Sequence, residues 1–533
     1  MSDLFLRTED IKNEHLDALF VETEIDRKLI DHVKSHTPVL VVGSRGVGKS
    51  FILRIAEKEL REEFPTKKIL PIYITFNRAS LLSTSEAKQF QHWMLAKICK
   101  ATSRALIKFG LMSASKNFFG NYKSTEDILD EIIQKYENSW QNIDTKIDTS
   151  SIPSIDDFKD TIEDICEELG VSRISYLFDE AIHVFQPDQQ RQFFTLFRDL
   201  RSPYISCNAA VYPGVTSYGD TFQPSHDALS LSLNRDVLSV SYINDMHEII
   251  TKQAKFNDDD TLLRKISQNK MNFRALAYAS SGNPRTLVKT IAQAEKINTQ
   301  QTNNVIKDFY RTAIWSDHSN LSSTYSGHTG LFDWGREFIE STVLKDMNAR
   351  NTENLAESRN TTFFIWIHRD APAAVKLALN LLSYTGIITE HSTGIKGTRS
   401  EIGTRYSVNL GCLLALEVTP VSAVMPIIDH VSIKKFNEYG ANHSAFQSLS
   451  QSQELLTPPN PKDILAIKLL QDTGILELPV WIIERLKEVN LKTVRDILTA
   501  TDEEIRQAYY IGEVRSRMAK NAAIEAVYEY LSG

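Results

Sequence analysis

Short aliphatic runs alternate with longer amphipathic segments in the first half of the chain. Residues 39–42, VLVV, are continuously aliphatic, which is typical of a strand covered on both faces of a parallel sheet. Residues 51–60 then place their apolar side chains on one face of a helix. Comparable runs occur at residues 68–77, 173–179 and 203–212. Strands that alternate with helical segments predict an α/β fold with a parallel sheet.

The loop between the first run and its helix has the spacing G-x-x-x-x-G-K-S. Its members are Gly43, Ser44, Arg45, Gly46, Val47, Gly48, Lys49 and Ser50, with Phe51 next on the helix. Glycines let backbone amides turn towards a phosphate, and the helix N-terminus adds partial positive charge. The lysine of such a loop binds the β- and γ-phosphates, and the hydroxyl ligates Mg²⁺. The loop therefore predicts a nucleoside triphosphate site with Mg²⁺.

Hydrolysis at such a loop requires one carboxylate that organises the metal ion and another that activates water. Residues 173–180, RISYLFDE, form an apolar run that ends in Asp179 and Glu180. In this interpretation Asp179 holds Mg²⁺ through water, and Glu180 polarises the attacking water. An acidic pair is also favoured at an exposed helix start, which is the alternative.

Four further polar residues are candidates for the same site. Asn208 and Thr216 lie near the end of the run at 203–212. Thr216 is the first candidate for a γ-phosphate contact, and Asn208 is the second. Arg235 is a candidate to reach the nucleotide of a neighbouring subunit, with a surface salt bridge as the alternative. Arg285 follows a Gly-Asn-Pro break, in the first turn of a predicted helix. A basic residue is unfavourable there, which predicts an anionic partner such as a phosphate.

These elements, in this order, resemble an AAA+ ATPase of the origin-recognition and replication-licensing branch, or a related STAND signalling ATPase. Residues 19–50 are similar to the segment with which such ATPases flank the adenine, and the resemblance covers roughly residues 15–300. It implies ATP binding, hydrolysis to ADP and phosphate, a γ-phosphate contact by Arg285 that couples to lid rotation, and an ATP-dependent homo-oligomer. Residues 80–165 are longer than in a minimal module, and no arginine finger can be matched with the family pattern.

The second half of the chain contains a pattern that resembles a winged helix. A helix pattern begins at Pro372, the strand patterns GIITE and TRYSVNL follow, and the loop between them contains Lys396 and Arg399. Winged helices commonly place the helix in a major groove and the wing on phosphates. The predicted reading helix carries one basic residue, Lys376. DNA binding and a protein-interaction role are therefore both open.

Residues 474–533 are similar to the helix-hairpin-helix domain at the C-terminus of the bacterial RNA polymerase alpha subunit. Helical spacing predicts a core formed by Leu478, Ile482, Leu486, Val494, Ile497 and Leu498. In such hairpins a glycine opens the turn, so that amides of the next helix meet a DNA phosphate. Here the glycine is Gly512, with Arg515, Arg517 and Lys520 nearby. Eight basic against ten acidic residues leave a packing module without DNA contact as the alternative.

Composition narrows the class of protein. The chain has 533 residues, 42% of them hydrophobic, and a formal charge of −8, so any contact with nucleic acid requires a local basic patch. No apolar run approaches the roughly 20 residues of a membrane span. The four cysteines form no C-x-x-C pair. The N-terminus lacks the pattern of a secretion signal, which predicts a cytoplasmic protein.

The leading hypothesis is an ATP-driven switch that couples nucleotide state to oligomerisation and DNA association. The alternative is a STAND-like, ATP-gated signalling scaffold, for example in anti-phage defence, whose C-terminal modules bind proteins and which acts through an effector protein. A third is a nucleotide-binding subunit without turnover. The predicted domains are an ATPase core (1–235, with a helical insertion at about 80–165), a helical lid (236–310), a linker helix with the winged helix (311–425), a linker (426–463) and the helix-hairpin-helix domain (464–533).

Overall fold

The structure is a computed structural model, and it describes residues 4–76, 88–112, 125–139, 147–180, 187–324, 329–450, 469–476 and 478–532. Parts of the predicted insertion at 80–165 and residues 451–463 of the predicted linker lie outside these ranges. In the described part of the chain, no helix combines the length and the apolar character needed to cross a membrane.

The first sheet contains five strands. They are β1 (Val39–Val42), β2 (Ile69–Thr75), β3 (Arg173–Asp179), β4 (Ile205–Val211) and β5 (Leu229–Ser232). Their order across the sheet is β2-β3-β4-β1-β5, and every pairing is parallel. The α/β fold with a parallel sheet is therefore confirmed. The carboxyl ends of β1, β3 and β4 lie next to one another at one edge, where open α/β sheets place their ligands.

Helices cover both faces of this sheet. One face packs against α1 (Leu16–Leu19), α2 (Glu24–Val33) and α3 (Lys49–Lys67), and the other against α4 (Gln89–Lys108), α5 (Thr125–Glu137), α6 (Ile155–Leu169) and α7 (Pro187–Asp199); α8 (Pro224–Asp227) precedes β5. Val39 and Val41 belong to the core under α1–α3, whereas Leu40 belongs to the core under α4–α7. Burial on both faces explains why β1 is aliphatic at every position.

A helical region follows the sheet. Its lid helices are α9 (Tyr242–Phe256), α10 (Asp260–Gln268), α11 (Lys270–Ala279) and α12 (Pro284–Gln293). The next helices are α13 (Thr299–Asp308), α14 (Ile314–Thr324), α15 (Thr329–Glu337) and α16 (Leu344–Ala356), with π-helical segments Phe309–Ala313 between α13 and α14 and Phe338–Val343 between α15 and α16. One continuous apolar core includes these helices and the second sheet. The lid thus packs as one body with the unit that follows it.

The second sheet contains four strands, β6 (Phe364–His368), β7 (Ile388–Lys396), β8 (Ile402–Val408) and β9 (Asn437–Tyr439). Their order across the sheet is β7-β8-β6-β9. The helices of this region are α17 (Ala373–Thr385), α18 (Leu410–Leu414), α19 (Pro420–Asp429) and α20 (Gln447–Ser450). The helix predicted from Pro372 corresponds to α17. β7 and β8 form an antiparallel hairpin, which carries Lys396 at the end of β7 and Arg399 in the turn.

The first part of the predicted linker is folded. β9 pairs in parallel with β6, and the rings of Tyr439 and Phe446 lie 5.2 Å and 5.7 Å from that of Phe338. These buried aromatic residues stand in a polar stretch, so composition alone indicated a linker there. The prediction of a linker from residue 426 is wrong as far as residue 450, because this stretch contributes a strand and core side chains.

The C-terminal helices have a core of their own. They are α21 (Val480–Glu488), α22 (Val494–Thr499), α23 (Asp502–Arg506) and α24 (Glu513–Ser532). All six residues predicted for this core are buried together. We call this unit the terminal domain.

Candidate nucleotide-binding site

A cavity of about 300 Å³ lies at the carboxyl edge of the first sheet. It is lined by residues 5–9, which we call the N-terminal segment, and by the glycine-rich loop at residues 43–50, which we call the phosphate loop, with the start of α3. The ends of β3 and β4 and the lid helices α9 and α12 complete the lining. Its polar lining comprises Arg7, Thr8, Glu9, Arg45, Lys49, Ser50, Asp179, Glu180, Tyr212, Arg235, Gln253 and Arg285. The fold therefore brings the phosphate loop, the acidic pair and the lid arginine to one place.

Two glycines allow the phosphate loop to turn tightly between β1 and α3. Gly46 has a φ of +88° and Gly48 a φ of +107°, in the left-handed region that favours glycine. A Cβ atom on Gly46 would lie 2.8 Å from Asn283 Oδ1 and 2.9 Å from Arg285 Cβ. The loop can approach the lid this closely because Gly46 has no side chain.

Lys49 is the first residue of α3, and its side chain is buried. Its Nζ donates hydrogen bonds to the backbone oxygens of Gly43 at 2.7 Å and Ser44 at 3.0 Å, and it lies 3.9 Å from the ring centroid of Tyr212. Burial lowers the pKa of Lys49 to about 7, although the charge of Asp179 opposes this shift. A phosphate group beside the ammonium would favour its charged form.

Asp179 is the last residue of β3, and two donors fix its carboxylate. The hydroxyl of Tyr73, on the neighbouring strand β2, donates to Oδ2 at 2.6 Å, and the amide of Glu180 donates to Oδ1 at 3.0 Å. Glu180 has a φ of +57°, an uncommon backbone conformation that is found at functional sites. Burial, and then the charge of Asp179, raises the pKa of Glu180 to about 7. The two carboxylates thus have different environments, as separate roles require.

Arg285 lies in the first turn of α12, just after the capping residue Asn283. Its Nε donates to the backbone oxygen of Leu6 at 3.0 Å, while Asn283 Nδ2 donates to the backbone oxygen of Arg45 at 2.8 Å. Burial lowers the pKa of Arg285, and the charge of Arg45 lowers it further. An anion between these two guanidinium groups would relieve both effects.

Apolar side chains line the rest of the cavity. They are Phe5, Leu6, Ile11, Leu19, Phe20, Val21, Val47, Phe51, Ile52, Ile249, Pro284 and Val288. The rings of Phe20 and Phe51 are stacked with centroids 5.7 Å apart. The amide of Phe5 donates to Gln253 Oε1 at 2.9 Å, which attaches the N-terminal segment to α9. Apolar walls with a few fixed polar groups are typical of a small-molecule site, and they suit a nucleotide base.

The ORC-CDC6-like family model matches residues 6–165. This segment of the chain is therefore similar to that family. The match confirms the resemblance to the origin-recognition branch over a shorter span than roughly 15–300, and it includes β1, the phosphate loop and β2. No curated protein matches the chain.

Two solved structures from Aeropyrum pernix are similar to the chain. The ORC2 protein, in ADPNP-ADP complexes, shares 10% identity with a TM-score of 0.34, and the alignment covers 78% of this chain and 93% of that one. The ORC1 protein, in complex with DNA, shares 14% identity with a TM-score of 0.32, and the alignment covers 78% of this chain and 98% of that one.

Two of the predicted phosphate contacts lie elsewhere. The Thr216 hydroxyl donates to the backbone oxygen of Tyr212 at 2.7 Å, and Thr216 is not among the residues that line the cavity. Asn208 is buried within β4, where Nδ2 donates to the backbone oxygen of Val33 at 3.2 Å. Thr216 stands too far beyond the strand, and Asn208 contacts α2. Tyr212, the first residue after β4, lines the cavity instead.

Arg235 is turned into its own subunit. Its guanidinium donates to the backbone oxygen of Val47 at 2.7 Å and lies 3.3 Å from the buried carboxylate of Asp26. Its side chain is 10% exposed, so neither a surface salt bridge nor a residue that reaches a neighbouring subunit describes it. Arg235 therefore links the phosphate loop, at Val47, to Asp26 of α2.

Sequence reasoning missed Tyr73, Tyr212 and the N-terminal segment. Tyr73 left no signal in the sequence, because its contact with Asp179 depends on the register of β2 and β3, in which Thr75 pairs with Asp179. The position of Tyr212 at the end of a predicted strand could have indicated that it lies near the phosphate loop. The N-terminal segment left no signal, since nothing in residues 5–9 indicates that they lie against the phosphate loop.

The predicted DNA contacts differ in their surroundings. Lys376, Lys396 and Arg399 are exposed, and none of them forms an ion pair with another described residue. In the terminal domain, by contrast, Arg517 lies 3.1 Å from Glu513 and Lys520 lies 3.7 Å from Asp502.

The turn before α24 also departs from the expected hairpin. Gly512 does not adopt a left-handed conformation, whereas Tyr510 does, with a φ of +66°. A Cβ atom on Gly512 would meet no atom within 4 Å. The glycine is therefore not what opens this turn.

Proposed function

We propose that this protein is an ATP-binding and ATP-hydrolysing AAA+-like switch that couples nucleotide state to oligomerisation and DNA association in the cytoplasm. The observation that carries the proposal is the convergence of Lys49, the Asp179–Glu180 pair and Arg285 on one cavity with an apolar end. The ORC-CDC6-like match of residues 6–165 supports the same function.

The cavity residues fit ATP with Mg²⁺. The Ser50 hydroxyl and the Asp179 carboxylate are oxygen donors, which Mg²⁺ prefers, and both line the cavity. The bound ion would neutralise charge on the phosphate oxygens. Lys49 would hold the β- and γ-phosphates, Arg285 would contact the γ-phosphate, and Glu180 would accept a proton from the attacking water.

A short path of contacts supports coupling from the phosphate loop to the second sheet. The amide of Arg45 donates to the backbone oxygen of Tyr384, at the end of α17, at 3.4 Å. The ring of Tyr384 lies 5.0 Å from that of Tyr212, which in turn contacts Lys49. A phosphate that draws Lys49 away from Tyr212 would therefore act on a residue that packs against α17.

For DNA association we propose that α17 and the β7–β8 hairpin form a winged helix, and that the contact uses Lys376, Lys396 and Arg399. These cations are exposed, and charges without a carboxylate partner are available to phosphates. We assign the helix-hairpin-helix fold to the terminal domain.

The test is Glu180→Gln, measured for ATP turnover and ATP affinity separately. We expect turnover to fall at least about 100-fold while affinity stays close to that of the native protein. Native turnover in this variant would contradict the role of Glu180, and a native protein that ignores ATP and Mg²⁺ would contradict the proposal.

The STAND-like scaffold remains the second candidate, because the terminal domain exposes an apolar surface. Mass measurement with and without ATP, together with DNA titrations at several salt concentrations, separates the two. ATP-dependent assembly without salt-dependent DNA binding would favour the scaffold.

A further inference from the structure

The terminal domain exposes large apolar side chains on one surface. They are Val480, Trp481, Tyr509, Tyr510, Val514 and Met518, and we call them the aromatic surface. Val514 is 76% exposed and Tyr510 is 68% exposed. Contiguous apolar surfaces of this kind mark interaction sites more often than single exposed residues do.

Ring and guanidinium contacts link the three aromatic residues of this surface, Trp481, Tyr510 and Tyr509. The Cζ atom of Arg515 lies 5.1 Å from the ring centroid of Trp481 and 6.0 Å from that of Tyr510. The rings of Tyr510 and Tyr509 lie 5.1 Å apart, and Arg485 lies 5.4 Å from Tyr509. The surface thus connects α21 with the turn before α24.

Arg515 contacts two rings of this surface, those of Trp481 and Tyr510, and has no carboxylate partner among the described residues. Its guanidinium donates to the backbone oxygen of Tyr510 at 2.6 Å. Arg485, at the margin, is already paired with Glu488 at 2.6 Å. A carboxylate brought by a partner would therefore find its complement at Arg515, and the bound partner together with the flanking rings would exclude water from the pair.

We propose that the aromatic surface is the docking site of a protein partner whose apolar segment carries a carboxylate that pairs with Arg515. Tryptophan, tyrosine and arginine are the residue types that dominate binding energy at protein interfaces, and methionine is also enriched there. This proposal does not depend on nucleotide binding.

A single-stranded nucleic acid fits the surface less well. Such a ligand requires a positively charged groove along its backbone, as well as rings on which bases stack. Here Arg485, Arg517 and Lys520 lie beside carboxylates. The aliphatic side chains of Val480 and Val514 also offer no stacking face to a base.

The experiment uses the full-length protein and randomised 12-residue peptides displayed on phage. Selected peptides are then synthesised and titrated against the native protein, Arg515→Glu, Trp481→Ala and the control Arg495→Glu. Arg495 is exposed on α22 of the same domain, and its substitution makes the same charge change at a residue that is not part of the aromatic surface. Circular dichroism establishes that each variant is folded.

We expect enriched peptides in which apolar residues flank an acidic residue. Their affinity should fall at least about tenfold in Arg515→Glu and in Trp481→Ala and stay within about twofold in Arg495→Glu. Replacing the peptide's acidic residue with lysine should restore binding to Arg515→Glu. Peptides that bind both surface variants as tightly as the native protein would overturn the proposal. So would a thymidine oligonucleotide whose binding is lost in Arg515→Glu, since it would assign the surface to nucleic acid.

Discussion

Two sites in this protein combine a cation with an aromatic ring, and they differ in what surrounds the pair. In the cavity of the candidate nucleotide-binding site, Lys49 lies 3.9 Å from the ring centroid of Tyr212 and is buried. In the terminal domain, Arg515 lies 5.1 Å from the ring centroid of Trp481 on an open surface. Water screens the second pair but not the first, so the same chemistry has larger effects in the cavity.

The two sites also differ in how the chain assembles them. The cavity uses segments from the N-terminus to the lid, and burial shifts the pKa values of Lys49 and Glu180. The aromatic surface uses neighbouring helices of one small domain. Burial by distant segments therefore distinguishes the cavity, where side-chain pKa values are shifted, from the exposed aromatic surface.

The largest expected effect comes from breaking the buried ion pair behind the phosphate loop. Arg235→Leu leaves the carboxylate of Asp26 buried without its cation, and we expect the free energy of unfolding to fall by about 3–5 kcal/mol. The matched control is Arg517→Leu, which breaks the exposed pair with Glu513 and should change it by less than about 0.5 kcal/mol. Urea unfolding followed by circular dichroism measures both. If both variants lost the same free energy of unfolding, burial would not explain the difference between the two ion pairs.

The next effect concerns the buried lysine itself. Lys49→Ala removes the ammonium that would hold the phosphates, and we expect ATP binding to weaken by about 2–5 kcal/mol, which is roughly 30-fold or more. Isothermal titration with ATP and Mg²⁺ measures the affinity. Lys67→Ala, at the exposed end of the same helix α3, should bind ATP normally. An unchanged affinity in Lys49→Ala would contradict the assignment of the cavity.

A smaller effect tests a hydroxyl rather than a charge. Tyr73→Phe removes the donor that fixes Asp179, and we expect about tenfold lower ATP turnover, or roughly 1.5 kcal/mol, with more Mg²⁺ needed for half-maximal rate. Tyr204→Phe is the matched control, since its hydroxyl donates to the exposed Glu167 at 3.2 Å. Turnover that falls equally in both variants, or an unchanged Mg²⁺ requirement, would argue against a positioning role for Tyr73.

Sequence predicted the parts of the site that a local pattern encodes. The spacing of the phosphate loop, and an acidic pair at the end of an apolar run, led to Lys49, Asp179 and Glu180 because strand, turn and helix each leave a signature within a few residues. The core of the terminal domain was predictable for the same reason.

Contacts between distant segments were not predictable in this way. Arg235 and Asp26 are 209 positions apart, and Tyr73 and Asp179 are 106 apart. No local sequence pattern indicates contacts between residues so far apart. The sequence therefore predicted that Arg235 reaches the nucleotide of a neighbouring subunit. The same reasoning explains the linker, since Phe446 shows its role only when it packs against Phe338.

The smallest expected effect compares the β7–β8 hairpin with the aromatic surface. The slope of log affinity for duplex DNA against log salt is negative, and Lys396→Ala should reduce its magnitude by about 0.9, because one phosphate contact is lost. Arg515→Ala should leave the slope unchanged, because we assign Arg515 to a protein carboxylate and the cations around it already lie beside carboxylates. Fluorescence anisotropy across a salt series measures the slopes. A slope whose magnitude is reduced by Arg515→Ala and not by Lys396→Ala would exchange the roles of the two surfaces. The hairpin would then be the candidate for a protein partner.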